Sequence, residues 1–348
     1  MTAAQHALRA VSPTPRAPRI RLDEVRFAYT PDAPLLDGVT LGVASGEVVA
    51  VIGRSGVGKS TLLRLIEGRH RPSSGAIEVS GGAERPGIGV VARHGGLDAD
   101  LTLEDNIASR LKTAGATRDE IAWEVERALA LADLAAARDR RPAQLSDGER
   151  RRAVFARALC GEPDILLLDE PTAGLDPENA QTLLAAVVRA CAARGAIAVL
   201  ASHDMTAVTA IAHRVALLDG GRIVEEGPTA QVVARPEQAV TRRFAAAVSG
   251  ASLPSFLRSK LSDTPSPRGK ALLRLAFEGP AATKPVLTQV ARDLGFDLGI
   301  VSGSLGALGD QPFGVLIVAA PSDEPYFTAA VERLEDSGLV VERLGFVP

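Results

Sequence analysis

The sequence predicts an α/β protein: a large domain built on a mostly parallel sheet, interrupted by an all-helical insertion, with a small βαββαβ domain behind it. Three observations lead there. Short β-branched runs alternate with longer helical stretches from residue 19 to about 248. Strand signals stop between about 97 and 158. A Ser-, Pro- and Gly-rich stretch at 249–269 then precedes a last segment ordered βαββαβ. Alternating strands and helices mark a parallel sheet with crossover helices, whereas βαββαβ is the split, ferredoxin-like arrangement.

Taken in order, residues 1–18 are rich in Pro, Ala and Arg and are expected to be a disordered leader. "EVVAVIG", "PDILLLDE" and "GAIAVLASH" are buried-strand candidates, each followed by a loop and a helical pattern. "IAWEVERALALADLAAA" has helical periodicity and belongs to the insertion. "SGASLPSFLRSKLSDTPSPRG" reads as a linker. Beyond it come strands in "ALLRLAFEG", "LGIVSGSLGALG", "FGVLIVAAP" and "LVVERLGF", with helices in "KPVLTQVARDLG" and "EPYFTAAVERLEDSG".

With 46% hydrophobic and 23% charged residues in 348, the chain can bury a full core. A net charge of −3 gives nucleic-acid binding no electrostatic support, so no nucleic-acid partner is expected. Cys160 and Cys191 form no metal or redox spacing and read as buried apolar residues in a reduced compartment. No apolar run approaches the roughly 20 residues that span a bilayer, and the N-terminal stretch lacks a signal-peptide core. A cytoplasmic location follows as the expectation, any membrane link coming through a partner.

"GRSGVGKST" fits G-x-x-x-x-G-K-[ST] between the strand "EVVAVI" and a helical run. Its residues Gly53, Arg54, Ser55, Gly56, Val57, Gly58, Lys59, Ser60 and Thr61 are candidate nucleotide ligands. Backbone N–H groups can curl around phosphates there, Lys59 bringing charge to the β and γ positions and Ser60 a hydroxyl to Mg²⁺. "ILLLDE" is an apolar strand ending in two carboxylates, at the edge where ligands bind in such sheets. Alone, that pair is more often a solvated helix start. Opposite a Walker A loop, Asp169 is placed for the Mg²⁺ shell and Glu170 for polarising or deprotonating the attacking water. "ASHD" puts His203 at an equivalent edge, where a structural histidine and a γ-phosphate contact are the competing readings.

Over about residues 20–245 the chain resembles an ATP-binding cassette (ABC) subunit, a P-loop NTPase fold with a helical signature subdomain. Walker A, "LSDGE", "LLLDEPTAGLD" and "SHD" stand in that family's order and spacing. The resemblance implies a homodimer sandwiching two ATP molecules, each closed by the partner's signature residues, here Ser146 and Gly148. It makes Asp176 of "PTAGLDP" a cross-dimer contact and Tyr29 of "VRFAYT" an adenine-stacking residue, against the alternative of an edge-strand core tyrosine. It also implies Mg²⁺ with the ATP, membrane permease subunits, a substrate-binding protein reached through them, and a peripheral place on the inner face of the membrane.

Two departures stand out. Arg93 follows the strand "GIGVVA" where the family's Q-loop glutamine is usual, and there is no Gln between Arg85 and Asp100. A guanidinium cannot ligate a cation, so Arg93 either points towards the permease or contacts a phosphate. The signature reads "LSDGE" rather than LSGGQ. Ser146 and Glu149 keep a capping box, and Asp147 sits where a helix N-terminus favours negative charge.

A cassette, a linker and a short βαββαβ domain together look like the methionine-importer branch of that family, with a C-terminal NIL domain of ACT-like fold. The resemblance implies an amino-acid ligand there, although Gly299 stands where an asparagine is usual. A dimerisation module without ligand is the alternative for this domain. For the whole chain the alternatives are a weakly hydrolysing regulatory cassette and a cytosolic non-transport ATPase.

Overall fold

The computed structural model describes residues 19–348 except 32, 82–85, 94–95, 266–268 and 309–310, and omits the side chains of 194, 248, 249 and 308. The expected leader lies outside the described residues.

Strands β1 (Arg19–Thr30) and β2 (Ala33–Val43) pair antiparallel, and β3 (Val48–Ile52) is buried at every position. Helix α1 (Lys59–Ile66) follows β3, and β4 (Ser74–Ser80) returns to the other edge of β1. After β5 (Ile88–Val91) the chain enters the insertion: α2 (Leu103–Thr113), α3 (Arg118–Leu131) and α4 (Asp147–Leu159). It re-emerges as β6 (Ile165–Asp169), α5 (Pro177–Arg194), β7 (Ile197–Ser202), α6 (Met205–Ile211), β8 (Arg214–Asp219) and β9 (Arg222–Pro228).

The main sheet runs β5-β6-β7-β3-β8-β9, parallel except for the β8–β9 pair. Strands β3, β6 and β7 are apolar almost throughout because both faces of this sheet are covered. One face packs α1 and the small sheet β2-β1-β4 through Val49, Val51, Leu62 and Leu167. The other packs α4, α5 and α6 through Phe155, Val187, Val208 and Leu200. The insertion has its own core around Ile107, Val125 and Leu129. Its helices start on side-chain caps at Thr102, Thr117 and Ser146, each accepting from an N–H of the first turn.

Short helices α7 (Thr229–Ala234), α8 (Ala239–Ser249) and α9 (Ser255–Arg258) lead to the last domain. The stretch expected as a linker carries α9, and Ser262 exchanges two backbone hydrogen bonds with Phe346 (2.9 and 2.8 Å). The last domain is β10 (Lys270–Glu278), α10 (Val286–Leu294), β11 (Gly299–Leu308), β12 (Gln311–Pro321), α11 (Tyr326–Asp336) and β13 (Val340–Val347). Its antiparallel sheet runs β11-β12-β10-β13, the ferredoxin-like order.

The period-2 alternation of β10 serves two cores. Leu273, Leu275 and Phe277 face α10 and α11, whereas Ala276 joins Phe313, Val315 and Ile317 against the large domain. On that second face Arg274, 8% exposed, donates to the carbonyls of Ala234 (2.7 Å) and Val233 (2.9 Å). Those are the last carbonyls of α7, which have no partner inside their own helix.

Candidate nucleotide site

The loop 53–58 turns between β3 and α1, and two of its glycines are required by space and conformation. Gly53 has φ 154°, and a Cβ there would lie 2.4 Å from the Leu218 carbonyl oxygen. Gly58 has φ 112°, and its Cβ would meet Leu36 at 2.8 Å. No L side chain fits either place. Val57 packs against the core beneath α1. Lys59 is buried, its Nζ donating to the carbonyls of Gly53 (2.7 Å) and Arg54 (3.1 Å). Burial lowers its pKa, opposed by Glu170 and Asp169.

Ser55, Gly56, Lys59, Ser60, Thr61 and Tyr29 border a cavity of about 360 Å³. Tyr29, at the end of β1, is 56% exposed, which removes the core-tyrosine alternative. Its hydroxyl lies 3.1 Å from Thr61 Oγ1, and its ring meets Phe27 and His70 edge-on. The tyrosine is thereby tethered to the helix that follows the phosphate loop.

The C-terminal end of β6 supplies the carboxylates. Asp169 and Glu170 are both buried, and Glu170 has φ 49°, an uncommon conformation for a non-glycine residue. Asp169 shares a second cavity, of about 370 Å³, with Ser60. Glu170 Oε1 lies 2.6 Å from His203 Nδ1, and Oε2 accepts from Ser202 Oγ at 3.2 Å. Ser202 in turn accepts from the N–H of Asp204 (2.9 Å), and Thr172 Oγ1 donates to the Asp204 carboxylate (3.3 Å). Glu170, His203, Lys59 and Ser60 are thus brought to one edge of the sheet.

Ser146, Gly148 and Asp176 border neither cavity. Ser146 caps α4: its Oγ accepts from the N–H of Glu149 (3.2 Å), and its own N–H donates to Glu149 Oε2 (2.8 Å). That backbone N–H holds the Glu149 carboxyl below the usual range. A Cβ at Gly148 would meet nothing within 4 Å, so the turn behind Ser146 is open. The Asp147 side chain is 91% exposed and pairs with Arg150 on its own helix (3.1 Å). Asp176 caps α5 by accepting from the N–H of Asn179 (3.0 Å), which lowers its pKa.

Two residues at this edge went unnoticed in the sequence. Ser202 is the one polar residue of β7, which was its available signal. Arg151 sits in the basic run of α4, yet its spacing to Phe155 and Leu159, both buried, places it on the inward face. Its guanidinium collects carbonyls from Ala92, Arg93, Asp169, Glu170 and Pro171.

The profile of the ABC transporter family matches residues 36–173, and that of the NIL domain matches 271–343. "Methionine import ATP-binding protein MetN 1" of Rhodopseudomonas palustris is 39% identical over 344 residues, 94% of this chain and 92% of that protein. The chain belongs to the ATP-binding cassette family. "Methionine import ATP-binding protein MetN" of Cereibacter sphaeroides is likewise 39% identical, over 93% of this chain and 95% of its own. Among solved ABC structures, the dimeric bacterial transporter cassette MJ0796 aligns with TM-score 0.57 at 26% identity, covering 60% of this chain and 98% of that one. A bacterial Atm1-family ABC exporter with ATP bound aligns with TM-score 0.58 at 30% identity, covering 68% of this chain and 43% of its own. As an ABC cassette with a NIL domain, the chain is an ATPase. No helix among the described residues is long and apolar enough to cross a membrane.

Proposed function

We propose that this ATPase is the energising subunit of an importer for methionine or a related amino acid, working as a homodimer on separate membrane permease subunits. The observation that carries the reading is the meeting of Lys59, Ser60, Asp169, Glu170 and His203 at the carboxyl ends of β3, β6 and β7, in a chain that matches methionine-import ATP-binding proteins over both of its domains.

ATP lies along the loop 53–58, its phosphates taking the loop N–H groups and the Lys59 ammonium in place of the carbonyls of Gly53 and Arg54. Tyr29 offers its exposed ring to the adenine. Mg²⁺ fits the donor set, since the hydroxyl of Ser60 and the carboxylate of Asp169 face one cavity and both are hard oxygen ligands. The metal would neutralise charge on the phosphates. Glu170 accepts a proton from the water that attacks the γ-phosphorus, and His203 holds the Glu170 carboxylate in position and reaches the γ-phosphate.

Ser146, Gly148 and Asp176 stand apart from this edge because they serve the partner's nucleotide. The cap geometry turns the Ser146 hydroxyl and the open N-terminus of α4 outwards. The C-terminal domain is the candidate amino-acid sensor, and a substrate-binding protein reaches the complex through the permease. Such a subunit is peripheral, held on the inner face of the membrane by the permease.

The test is reconstitution of the chain with its permease in vesicles carrying substrate-binding protein. ATP-dependent uptake of labelled methionine, lost with Glu170→Gln, is the expected result. Uptake of no amino acid, with full ATP hydrolysis in the vesicles, would overturn the importer reading and leave the ATPase.

A further inference from the structure

We propose that Arg93 is a γ-phosphate ligand of the bound nucleotide, aimed there by Arg151. The inference rests on the ATPase reading above and concerns the loop position where the family carries a glutamine.

Arg93 follows β5 on the way into the helical insertion. Arg93 borders both cavities at the phosphate loop, one with Ser60 and Asp169, the other with Lys59, Thr61 and Glu170. Ser60 is the other residue common to the two, so Arg93 stands where they meet. Among the described residues its guanidinium forms no salt bridge. Arg93 is exposed, and its charge, free of a carboxylate, is available to an anionic ligand entering where the two cavities meet.

Its direction is set from behind. Arg151 Nη1 donates to the carbonyls of Ala92 and Arg93, both at 2.9 Å. Its Nε donates to Pro171 (3.0 Å), and Nη2 to Asp169 (3.2 Å) and Glu170. One planar fork therefore ties the backbone of Arg93 to the backbone of both site carboxylates, which a single-point lysine ammonium could not do. Every acceptor is a neutral carbonyl, so these hydrogen bonds place no carboxylate directly on the Arg151 guanidinium. Burial lowers the pKa of Arg151, Asp169 and Glu170 oppose this, and Arg93 adds to it. Arg93 depresses Lys59 in the same sense.

Three cations, Lys59, Arg93 and Arg151, thus surround two carboxylates, and a triphosphate relieves the excess. The contact is to phosphate oxygen rather than to Mg²⁺, because a guanidinium has no lone pair for a metal and its charge repels one. A bidentate fork on phosphate is the geometry at which arginine excels. Arg93 borders the same cavity as Glu170, the group proposed to face the attacked phosphorus, which selects the terminal phosphate. A ligand of this kind partly substitutes for the metal's charge, so its contribution is largest when Mg²⁺ is removed.

The experiment measures equilibrium binding of fluorescent ATP and ADP analogues to the full chain, in EDTA and in Mg²⁺. Arg93→Gln is expected to weaken ATP-analogue binding in EDTA about tenfold, with ADP-analogue binding changed less than about twofold. Arg93→Lys should recover part of the loss. Arg151→Gln should reproduce the ATP-selective loss at a distance, the mark of a positioning residue. ATP affinity in EDTA unchanged by Arg93→Gln would overturn the inference and turn that side chain towards the permease. Equal weakening of ATP and ADP would overturn it too, since the γ-phosphate would then not be what Arg93 contacts. If the unaltered chain binds neither nucleotide, the ATPase reading itself falls, a failure distinguishable from the other two.

Discussion

Glu170 and His203 meet at 2.6 Å between Oε1 and Nδ1, while the other Glu170 oxygen takes the hydroxyl of buried Ser202 at 3.2 Å. The two partners differ in freedom: Ser202 is fully buried, whereas the His203 side chain is 55% exposed. His203 is therefore the partner that can yield its place to a water while Ser202 keeps the carboxylate oriented. Glu170→Gln should lower kcat by about 10²–10⁴-fold and leave ATP affinity intact, as measured by phosphate release and nucleotide binding. His203→Ala should lower kcat as well, because the imidazole proposed to reach the γ-phosphate is lost while Ser202 still holds the carboxylate.

The cap at the start of α4 predicts a different signature. Ser146→Ala removes an acceptor for the N–H of Glu149 and should cost about 1 kcal/mol in urea unfolding, along with turnover. Asp147→Asn, at a side chain that touches only its own helix, should leave the urea midpoint unchanged. Because Asp147 lies beside Ser146 and Gly148, the residues proposed to serve a partner's ATP, the same change should tighten ATP-induced dimerisation at low salt, which light scattering would register.

Burial raises the thiols of Cys160 and Cys191 from 9.0 to about 11. Raised acids favour the folded state in their neutral form. Their contribution to stability is therefore full below pH 9.0 and is lost as pH rises through about 11. Thiol-reagent labelling of the native chain at pH 8 should run at least about a hundredfold slower than that of the unfolded chain. Rapid native labelling of either residue would contradict that burial.

Gly299 starts β11 with ordinary backbone φ, and a Cβ there would meet only Ala319, at 3.9 Å. The Cβ of an asparagine therefore has room there. Calorimetry on the full chain with L-methionine should show stronger binding for Gly299→Asn than for the unaltered protein. Equal heats in both would mean that this strand position does not contact the ligand.

The phosphate loop and the "ILLLDE" strand were legible because their chemistry is local: glycines, lysine and carboxylates stand at fixed spacing beside apolar runs. The capping box at Ser146 was legible for the same reason. Arg151 was not, because its acceptors come from the chain after β5 and after β6, and no spacing within "ERRR" announces them. The stretch 249–269 shows the same limit. Its Ser, Pro and Gly content marks a turning path, but the pairing of Ser262 with Phe346 depends on where the last strand arrives. The exposure of Tyr29 likewise depends on neighbours that its strand pattern does not name.

Removing Arg274 should loosen the seam between the domains. Arg274→Ala leaves the carbonyls of Val233 and Ala234 without donors and should cost about 2–4 kcal/mol, seen as faster amide exchange in α7.

The same seam has a practical consequence for dissecting the protein. A cut after residue 250 would strip cover from Phe244, Val240 and Val232, which belong to one apolar cluster with Val315 and Ile317 from across the seam. It would also leave the end of α7 without the Arg274 guanidinium. The shortened chain would be a cassette with a fresh oily flank, prone to clump, and its lower activity would measure the damage of surgery rather than the worth of the piece removed.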